Sequence, residues 1–311
     1  MKKILLPKII FLFGILWINC TMQGHAFGQD SDNTINTPVV GPETGSLVVV
    51  GGAMRDTAIT LKFLELAGGK DAPIVVIPTA SGSDSIQEER VIRFLTRLGA
   101  TNVTVVHTYD PGEANTKAFV HHLYQAQGVW FTGGRQWRIV DAYANTLTEK
   151  AIKSVLERGG VIGGSSAGAT IQGSYLVRGD TKTNRIMMGD HEKGFGYLRN
   201  VAIDQHLLVR NRQFDLIEVI ESHPELLGIG LDENTAIVVQ GDTFEVLGES
   251  FVAIYDPHLW NRMTTLDEKP VLPNGGRFFL LRSGDQYDLK SRKVIHWTGN
   301  NRGISRDVDV R

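Results

Sequence analysis

The sequence predicts an α/β fold, a three-layer, doubly wound and mostly parallel sheet with helices on both faces. Short runs that are almost entirely apolar recur along the first half of the chain, and segments with helical spacing of apolar residues separate them. Strands that are apolar on both faces are typical of a parallel sheet covered by helices on each side. Apolar residues at helical spacing indicate the helices that cover it.

The predicted strands end at turns rich in glycine or small polar residues. They span residues 47–50, 74–77, 103–106, 128–131 and 160–162, and the predicted helices include 57–67, 87–98 and 147–158. Ligands of open parallel sheets bind beyond the carboxyl ends of the strands. We therefore expect the turns at Gly51, Pro78, Gly133 and Gly163 to converge on one functional site.

The chain changes character after Thr235. Residues 235–239, 243–247, 251–255 and 278–281 resemble strands joined by turns, and they either extend the sheet or form a small antiparallel addition. We assign residues 47–311 to a single α/β domain, in which 256–311 is a strand-rich C-terminal extension.

The N-terminal segment is typical of an exported protein. A positively charged start, an apolar run and small residues near Gly28 predict a signal peptide over 1–28, and a polar tether follows over 29–46. We therefore expect a periplasmic or extracellular protein. Lipid attachment at Cys20 is an alternative, although the residues before it are not the usual small ones. A mature chain cleaved near Gly28 contains no cysteine, which excludes disulfides and thiol catalysis.

Composition excludes some classes of partner. The 311 residues carry a formal net charge of -2, with 42% hydrophobic and 21% charged residues. This balance gives no basic surplus for binding nucleic acid. The apolar run near the N-terminus is shorter than the roughly 20 residues that a membrane span needs, so we expect no span.

One turn carries a nucleophile motif. Gly164-Ser165-Ser166-Ala167-Gly168 fits G-x-S-x-G with Ser166 at its centre, after a predicted strand and before a predicted helix over 167–172. Small residues permit a sharp turn that exposes the serine, and the Ala167 amide is placed for a developing oxyanion. Ser165 lacks a glycine two positions later. The alternative is a glycine turn that only packs a tight strand–helix crossing. A phosphate loop is disfavoured, because no Gly-Lys-Ser/Thr follows.

A nucleophilic serine needs a base, and the base needs an orienting acid. Among the nine histidines we favour His206, which follows a predicted strand over 201–204 and so lies at another carboxyl end. The acid that we favour is Glu233, at a bend between strands. The order Ser, His, Glu differs from that of the α/β-hydrolases, so we expect another serine-hydrolase fold.

Other acids compete with Glu233 for this role. Asp190 and Asp204 are rivals, whereas Asp232 and Asn234 at the same bend are explained by turn formation.

Four motifs together resemble the cyanophycinases, within the wider family of peptidase E-like serine peptidases. They are FTGGRQ, GGSSAGA, IDQHLLVRNR and GIGLDENTAIVV, and the resemblance covers about residues 47–252. It implies a flavodoxin-like fold similar to the class I glutamine amidotransferases, with a serine in place of their cysteine. It implies no metal and no organic cofactor.

The resemblance also implies a role for each matched residue. Ser166 resembles the nucleophile, His206 the general base and Glu233 the orienting acid. The amides of Gly134 and Ala167 resemble the oxyanion donors. The substrate-binding positions of the family are matched by Gln136, Asp204, Gln205, Arg210 and Arg212.

The two arginines stand where the sequence predicts the start of a helix that runs to Pro224. A cation at a helix N-terminus interacts unfavourably with the helix macrodipole, which costs about 0.3–1 kcal/mol of stability for each charge. Arg210 and Arg212 therefore need a compensating role at this position, and binding a substrate carboxylate would provide one. The alternative is that they are solvated, or paired with Asp215 and Glu218. Asp215 also departs from the family pattern, which has a third arginine there.

Cyanophycin is a poly-aspartate chain with arginine on each side-chain carboxyl, and family members cut it to β-aspartyl-arginine dipeptides. The resemblance therefore implies a secreted serine exopeptidase that forms an acyl-enzyme on Ser166. Two alternatives remain: a peptidase for α-aspartyl or isoaspartyl dipeptides, and a non-catalytic exported binding protein. The assembly state that we name alongside these functions is a homodimer.

Overall fold

A computed structural model describes residues 40–83, 85–260 and 279–301, which lie in one compact unit. The predicted signal peptide with Cys20, and residues 29–39 of the predicted tether, lie outside the described residues. No helix within the described ranges is long and apolar enough to cross a membrane.

The first half of the domain alternates strands and helices as the sequence predicts. Its elements are β1 (Ser46–Val50), α1 (Thr57–Leu66), β2 (Ile74–Ile77), α2 (Glu88–Thr96), β3 (Val103–Val105), α3 (Pro111–Ala114), α4 (His121–Gln125), β4 (Gly128–Phe131), α5 (Gln136–Tyr143), α6 (Leu147–Glu157) and β5 (Val161–Ser165).

The second half is richer in strands. It contains α7 (Ala167–Thr170), β6 (Gly173–Tyr175), β7 (Leu198–Gln205), α8 (Asp215–Ser222), β8 (Leu227–Leu231), β9 (Thr235–Gln240), β10 (Thr243–Gly248), β11 (Val252–Tyr255), β12 (Phe279–Leu281), β13 (Gln286–Asp288) and β14 (Lys293–His296).

The larger sheet has nine strands in the order β14-β13-β10-β9-β1-β5-β4-β2-β3. Its β1, β5, β4, β2 and β3 are parallel, and β9 joins β1 in the antiparallel direction. In β1, Leu47 and Val49 pack into one apolar cluster, while Val48 and Val50 pack into another. Both faces of this strand are buried because alternate side chains point to opposite sides. The predicted α/β class is confirmed.

A second sheet lies beside the first and is larger than the small antiparallel addition that the sequence offered as one alternative. It has five strands in the order β12-β11-β8-β7-β6, so the strand predicted over 201–204 belongs to it rather than to the larger sheet. The C-terminal strands divide between the sheets: β9, β10, β13 and β14 extend the first, and β11 and β12 join the second.

The chain passes from the second sheet to the first at the bend between β8 and β9. Asn234 in this bend has a left-handed backbone (φ 54°). Its side-chain Oδ1 accepts hydrogen bonds from the amides of Arg55 and Asp56, at 2.7 and 2.6 Å. The Asp56 carboxylate caps α1 by accepting from the Ala58 amide. The bend and the start of α1 are therefore held together, beside the carboxyl end of β1.

Candidate active site

Ser166 lies on a strained turn between β5 and α7. Its backbone has φ 58° and ψ -111°, and its amide donates to the Val50 carbonyl at 2.9 Å. The flanking glycines allow the crowding: a Cβ on Gly164 would lie 2.2 Å from the Gly168 carbonyl oxygen, and a Cβ on Gly168 would lie 2.3 Å from that of Phe131. This is the strand–turn–helix geometry in which a central serine is exposed.

His206 follows β7 and reaches the serine from the second sheet. Its Nε2 is 2.9 Å from Ser166 Oγ. The His206 backbone is left-handed (φ 56°), and its amide donates to the Gly51 carbonyl at 3.0 Å. Gly52 (φ 138°) leaves room for the imidazole, since a Cβ there would lie 2.3 Å from His206 Cε1. The turn after β1 therefore receives the histidine ring.

Glu233 completes a hydrogen-bonded row. Its Oε1 lies 2.7 Å from His206 Nδ1, and its side chain is 16% exposed. Because the carboxylate accepts a hydrogen bond from Nδ1–H, it favours the tautomer whose Nε2 is free to accept from the Ser166 hydroxyl. The structure thus brings together the three residues that the sequence singles out.

The rival acids are engaged elsewhere. Asp232 accepts from the amides of Leu208 and Val209 and from the Ser250 hydroxyl. Asp190 accepts from the amide and hydroxyl of Thr181. Asp190 also lies 3.3 Å from His191 Nδ1, and neither carboxylate contacts the His206 imidazole.

The environment keeps the imidazole neutral. Burial lowers the pKa of His206; the hydrogen bond that the ring donates to Glu233 raises it, and the nearby charges of Arg210 and Arg212 lower it again. The resulting pKa lies below its ordinary value of 6.5. At neutral pH His206 is therefore a base that can accept a proton.

Two backbone amides flank the serine. The turn after β4 passes beside Ser166, since a Cβ on Gly133 would lie 3.4 Å from the serine Cβ. Gly134 has φ 144°, and a Cβ there would lie 2.0 Å from the Ala80 carbonyl oxygen. Within the described ranges, the amides of Gly134 and Ala167 donate to no other group. Both remain available for an oxyanion.

Four of the five predicted substrate-binding residues are buried with partners inside the protein. Gln136 Nε2 donates to the Arg178 carbonyl at 2.9 Å. Asp204, which is 0% exposed, accepts from the Arg178 guanidinium through both carboxylate oxygens. Gln205 Oε1 accepts from Arg212 at 2.8 Å. In this structure these side chains bind each other and the backbone.

Arg210 differs from those four because it is exposed. Its amide donates to the His206 carbonyl at 3.1 Å, which places it on the turn that begins at the histidine. No partner of its guanidinium is found among the described residues.

The expectation that a helix begins at the arginines is wrong. The helix α8 begins at Asp215, because Asn211 has a left-handed backbone (φ 54°) that interrupts helical geometry. Arg210 and Arg212 therefore precede the helix, and the acidic Asp215 and Glu218 occupy its first turn, where they favour the macrodipole.

Sequence reasoning missed Arg178, which pairs with Asp204 and Asp215. No motif marks it: it lies between β6 and β7, in a stretch of ordinary polar composition. Its φ is 57°, which no local sequence pattern indicates.

The site contains no cluster of metal ligands among the described residues. Within the ranges that the structure describes, no three His, Cys, Asp or Glu side chains come together in a way that could hold a metal ion.

The chain resembles known proteins over most of its length. Residues 47–247 match the profile of Peptidase family S51. A cyanophycinase from Geminocystis herdmanii is 32% identical over 261 residues, covering 80% of this chain and 96% of the relative. A cyanophycinase from Nostoc sp. is 31% identical over 264 residues, covering 80% of this chain and 87% of the relative.

A solved structure shows the same fold. The crystal structure of a peptidase from an acI-B1 actinobacterium superimposes with a TM-score of 0.60, covering 79% of this chain and 97% of that one at 23% identity. The predicted flavodoxin-like architecture is confirmed. The profile match, the relatives and the fold together show that this chain belongs to Peptidase family S51 and is a serine-type peptidase.

Proposed function

We propose that this peptidase is an exopeptidase that hydrolyses cyanophycin to β-aspartyl-arginine dipeptides through an acyl-enzyme on Ser166. The observation that carries the mechanism is the row of hydrogen bonds from Ser166 Oγ to His206 Nε2 and from His206 Nδ1 to Glu233. The substrate is supported by the cyanophycinases of Geminocystis and Nostoc, which resemble this chain over most of its length.

The reaction has two steps. Ser166 Oγ attacks the scissile carbonyl while His206 Nε2 takes the hydroxyl proton, and Glu233 stabilises the imidazolium that forms. The amides of Gly134 and Ala167 donate to the oxyanion of the tetrahedral intermediate. His206 then gives its proton to the leaving amine, and an acyl-enzyme remains. A water molecule then gives a proton to His206 and attacks the ester carbonyl; His206 returns that proton to Ser166 Oγ as the ester bond breaks, which releases the carboxylic acid product and restores the serine.

Arg210 is the residue that we assign to a substrate carboxylate. It is exposed, it stands on the same turn as His206, and its positive charge acts on the imidazole. Gln136, Asp204, Gln205 and Arg212 then support the wall of the pocket rather than touch the substrate, because each is buried with a partner in the protein.

A smaller aspartyl substrate is the second candidate. Asp215 stands where the cyanophycinase pattern has an arginine, and its carboxylate binds Arg178. This position therefore adds no cation to the pocket. With Arg210 as the one cation assigned to the substrate, the site suits a short α-aspartyl or isoaspartyl peptide better than a polymer with many charged groups.

The two substrates can be separated directly. The protein is incubated with cyanophycin and, separately, with α-aspartyl and isoaspartyl dipeptides, and mass spectrometry identifies the products. Release of β-aspartyl-arginine supports the first candidate; cleavage of the dipeptides alone supports the second. Ser166→Ala is the control and should abolish either hydrolysis. Unchanged turnover in that variant would rule out the mechanism.

We also propose that the protein is exported, on the composition of residues 1–28 alone. Expression of the full chain in a Gram-negative host, followed by N-terminal sequencing of the periplasmic fraction, should give a chain that begins near Gly28. Recovery of the uncleaved chain in the cytoplasm would contradict this.

A further inference from the structure

Arg178 is a buried cation that contacts three separate segments. Its side chain is 3% exposed. Nε and Nη2 lie 2.9 and 3.0 Å from the two carboxylate oxygens of Asp204. Nη2 also binds the Asp215 carboxylate, at the start of α8, and Nη1 donates to the Asn184 carbonyl at 3.0 Å. The guanidinium therefore ties β7 to α8 and to the β6–β7 connection.

The backbone of Arg178 is tied to a fourth segment. Its carbonyl accepts from Gln136 Nε2 at 2.9 Å, and its amide donates to the Met187 carbonyl at 2.9 Å. Gln136 is the first residue of α5 and follows Gly134 by two positions. Arg178 is thus linked to the turn that carries one of the two candidate oxyanion amides.

Asp204 links the same arginine to the candidate base. It is fully buried in β7, and its Oδ1 also accepts from the Gln205 amide at 2.9 Å. His206, two residues later, leaves the strand with a left-handed backbone. The two hydrogen bonds from the Arg178 guanidinium to Asp204 therefore hold the last residues of β7, directly before the turn that begins at His206.

We propose that Arg178 is a positioning residue for the peptidase reaction. By holding Asp204 and Gln136 from one point, it sets where His206 stands relative to Ser166 and Gly134. The inference rests on the proposed function, since it needs His206 to act as the base. Arg178 itself contacts Asp204. Within the described part of the chain, it makes no hydrogen bond to the His206 imidazole.

Stability alone explains this arrangement poorly. Arg178 and Arg212 face the buried Asp204 and the partly exposed Asp215, so the charges of this cluster balance. A buried ion pair generally stabilises a fold no better than apolar residues of similar volume. Its distinctive property is direction, because a planar guanidinium binds both oxygens of a carboxylate in one geometry. Burial lowers the pKa of Arg178, but its contacts with Asp204 and Asp215 raise it above the ordinary value, so the fork stays charged.

Steady-state kinetics on the peptide that the wild type cleaves test this role. Arg178→Lys keeps the charge but loses the two-pronged contact, and we expect kcat to fall about tenfold while KM changes less than about threefold. Arg178→Met should lower kcat about 100-fold with the same small change in KM. The matched control is Arg185→Met, an exposed cation in the same connection, which should keep both parameters within about twofold.

A second variant guards against a folding defect. Arg178→Met removes the two-pronged partner of the buried Asp204 and leaves only the more distant Arg212, at 3.7 Å, as its cation, which can unfold the protein. The double variant Arg178→Met/Asp204→Asn removes both charges, so it should fold, as circular dichroism would show, and still have a lowered kcat. Wild-type kcat in the folded double variant and in Arg178→Lys would overturn the proposal. Unchanged turnover in Ser166→Ala would instead overturn the proposed function.

Discussion

Two polar networks meet at the carboxyl end of β7, and they differ in charge and in exposure. In one, Ser166, His206 and Glu233 are joined by hydrogen bonds of 2.9 and 2.7 Å, and the Glu233 side chain is 16% exposed. In the other, Arg178 and Asp204 are joined by a two-pronged ion pair whose side chains are 3% and 0% exposed. The first network can meet a substrate, whereas the second is sealed inside the protein.

The comparison shows that a carboxylate takes its role from its partner. Glu233 and Asp204 each flank the histidine turn, and both are acids at a strand end. Glu233 faces an imidazole and can stabilise it when it gains a proton. Asp204 faces a guanidinium, which does not give up its proton, so it can only hold a position.

The largest effect among the tests of this comparison is expected for Glu233→Gln. The amide can donate to Nδ1 and so favour the wrong tautomer, and it provides no charge for the imidazolium. We expect kcat to fall about 10³-fold, with the fold intact. Kinetics on the wild-type substrate and thermal unfolding provide the measurement.

The control for this variant is Asp190→Asn, which alters the rival acid. It should keep kcat within about threefold, because Asp190 binds Thr181 and His191 and does not contact His206. A larger loss in Asp190→Asn than in Glu233→Gln would transfer the orienting role to Asp190.

Much of the fold and part of the site could be predicted from local sequence signals. The strands at the centre of the parallel sheet are short apolar runs, because helices cover both faces of the sheet and every side chain of such a strand must be apolar. The run of apolar residues is therefore visible in the sequence itself. The Ser166 turn is equally local, since the glycines that its backbone needs are adjacent in the chain.

The second sheet and the Arg178 network could not be predicted in this way. The centre of β7, Val201-Ala202-Ile203, is apolar like the strands of the first sheet, and nothing in these residues says which sheet β7 joins. Asp204 and Asp215 resemble any acids near a binding site until Arg178, 26 and 37 residues away, is placed beside them. The partner of a buried charge is fixed by tertiary contacts, which no local pattern records.

Gly52→Ala should give the second largest effect. The added Cβ would lie 2.3 Å from His206 Cε1, so the ring must move away from Ser166. A displacement of about 1 Å in a catalytic group lowers kcat by about 100-fold.

The matched control is Gly69→Ala, which also has a positive φ (106°) but has open space around it. It should cost about 1 kcal/mol of stability and leave kcat unchanged. Equal kcat in the two variants would show that Gly52 does not accommodate the ring.

The smallest effect is expected for Arg210→Gln, and it concerns pH as well as binding. His206 must be neutral to take the serine proton, so activity is present above its pKa and is lost as pH falls through it. Burial and the charges of Arg210 and Arg212 lower this pKa from 6.5, whereas the hydrogen bond that the ring donates to Glu233 raises it. Removing Arg210 raises the pKa, so the acidic limb of kcat should move up by about half a pH unit.

The same variant should raise KM about tenfold if Arg210 binds a substrate carboxylate. The pH–rate profile is measured at low and at high salt, because screening weakens the influence of an exposed charge on the imidazole. Salt should therefore move the limb of the wild type upward and bring it closer to that of Arg210→Gln. A variant with an unchanged KM and an unmoved acidic limb would show that Arg210 neither binds the substrate carboxylate nor influences the His206 imidazole.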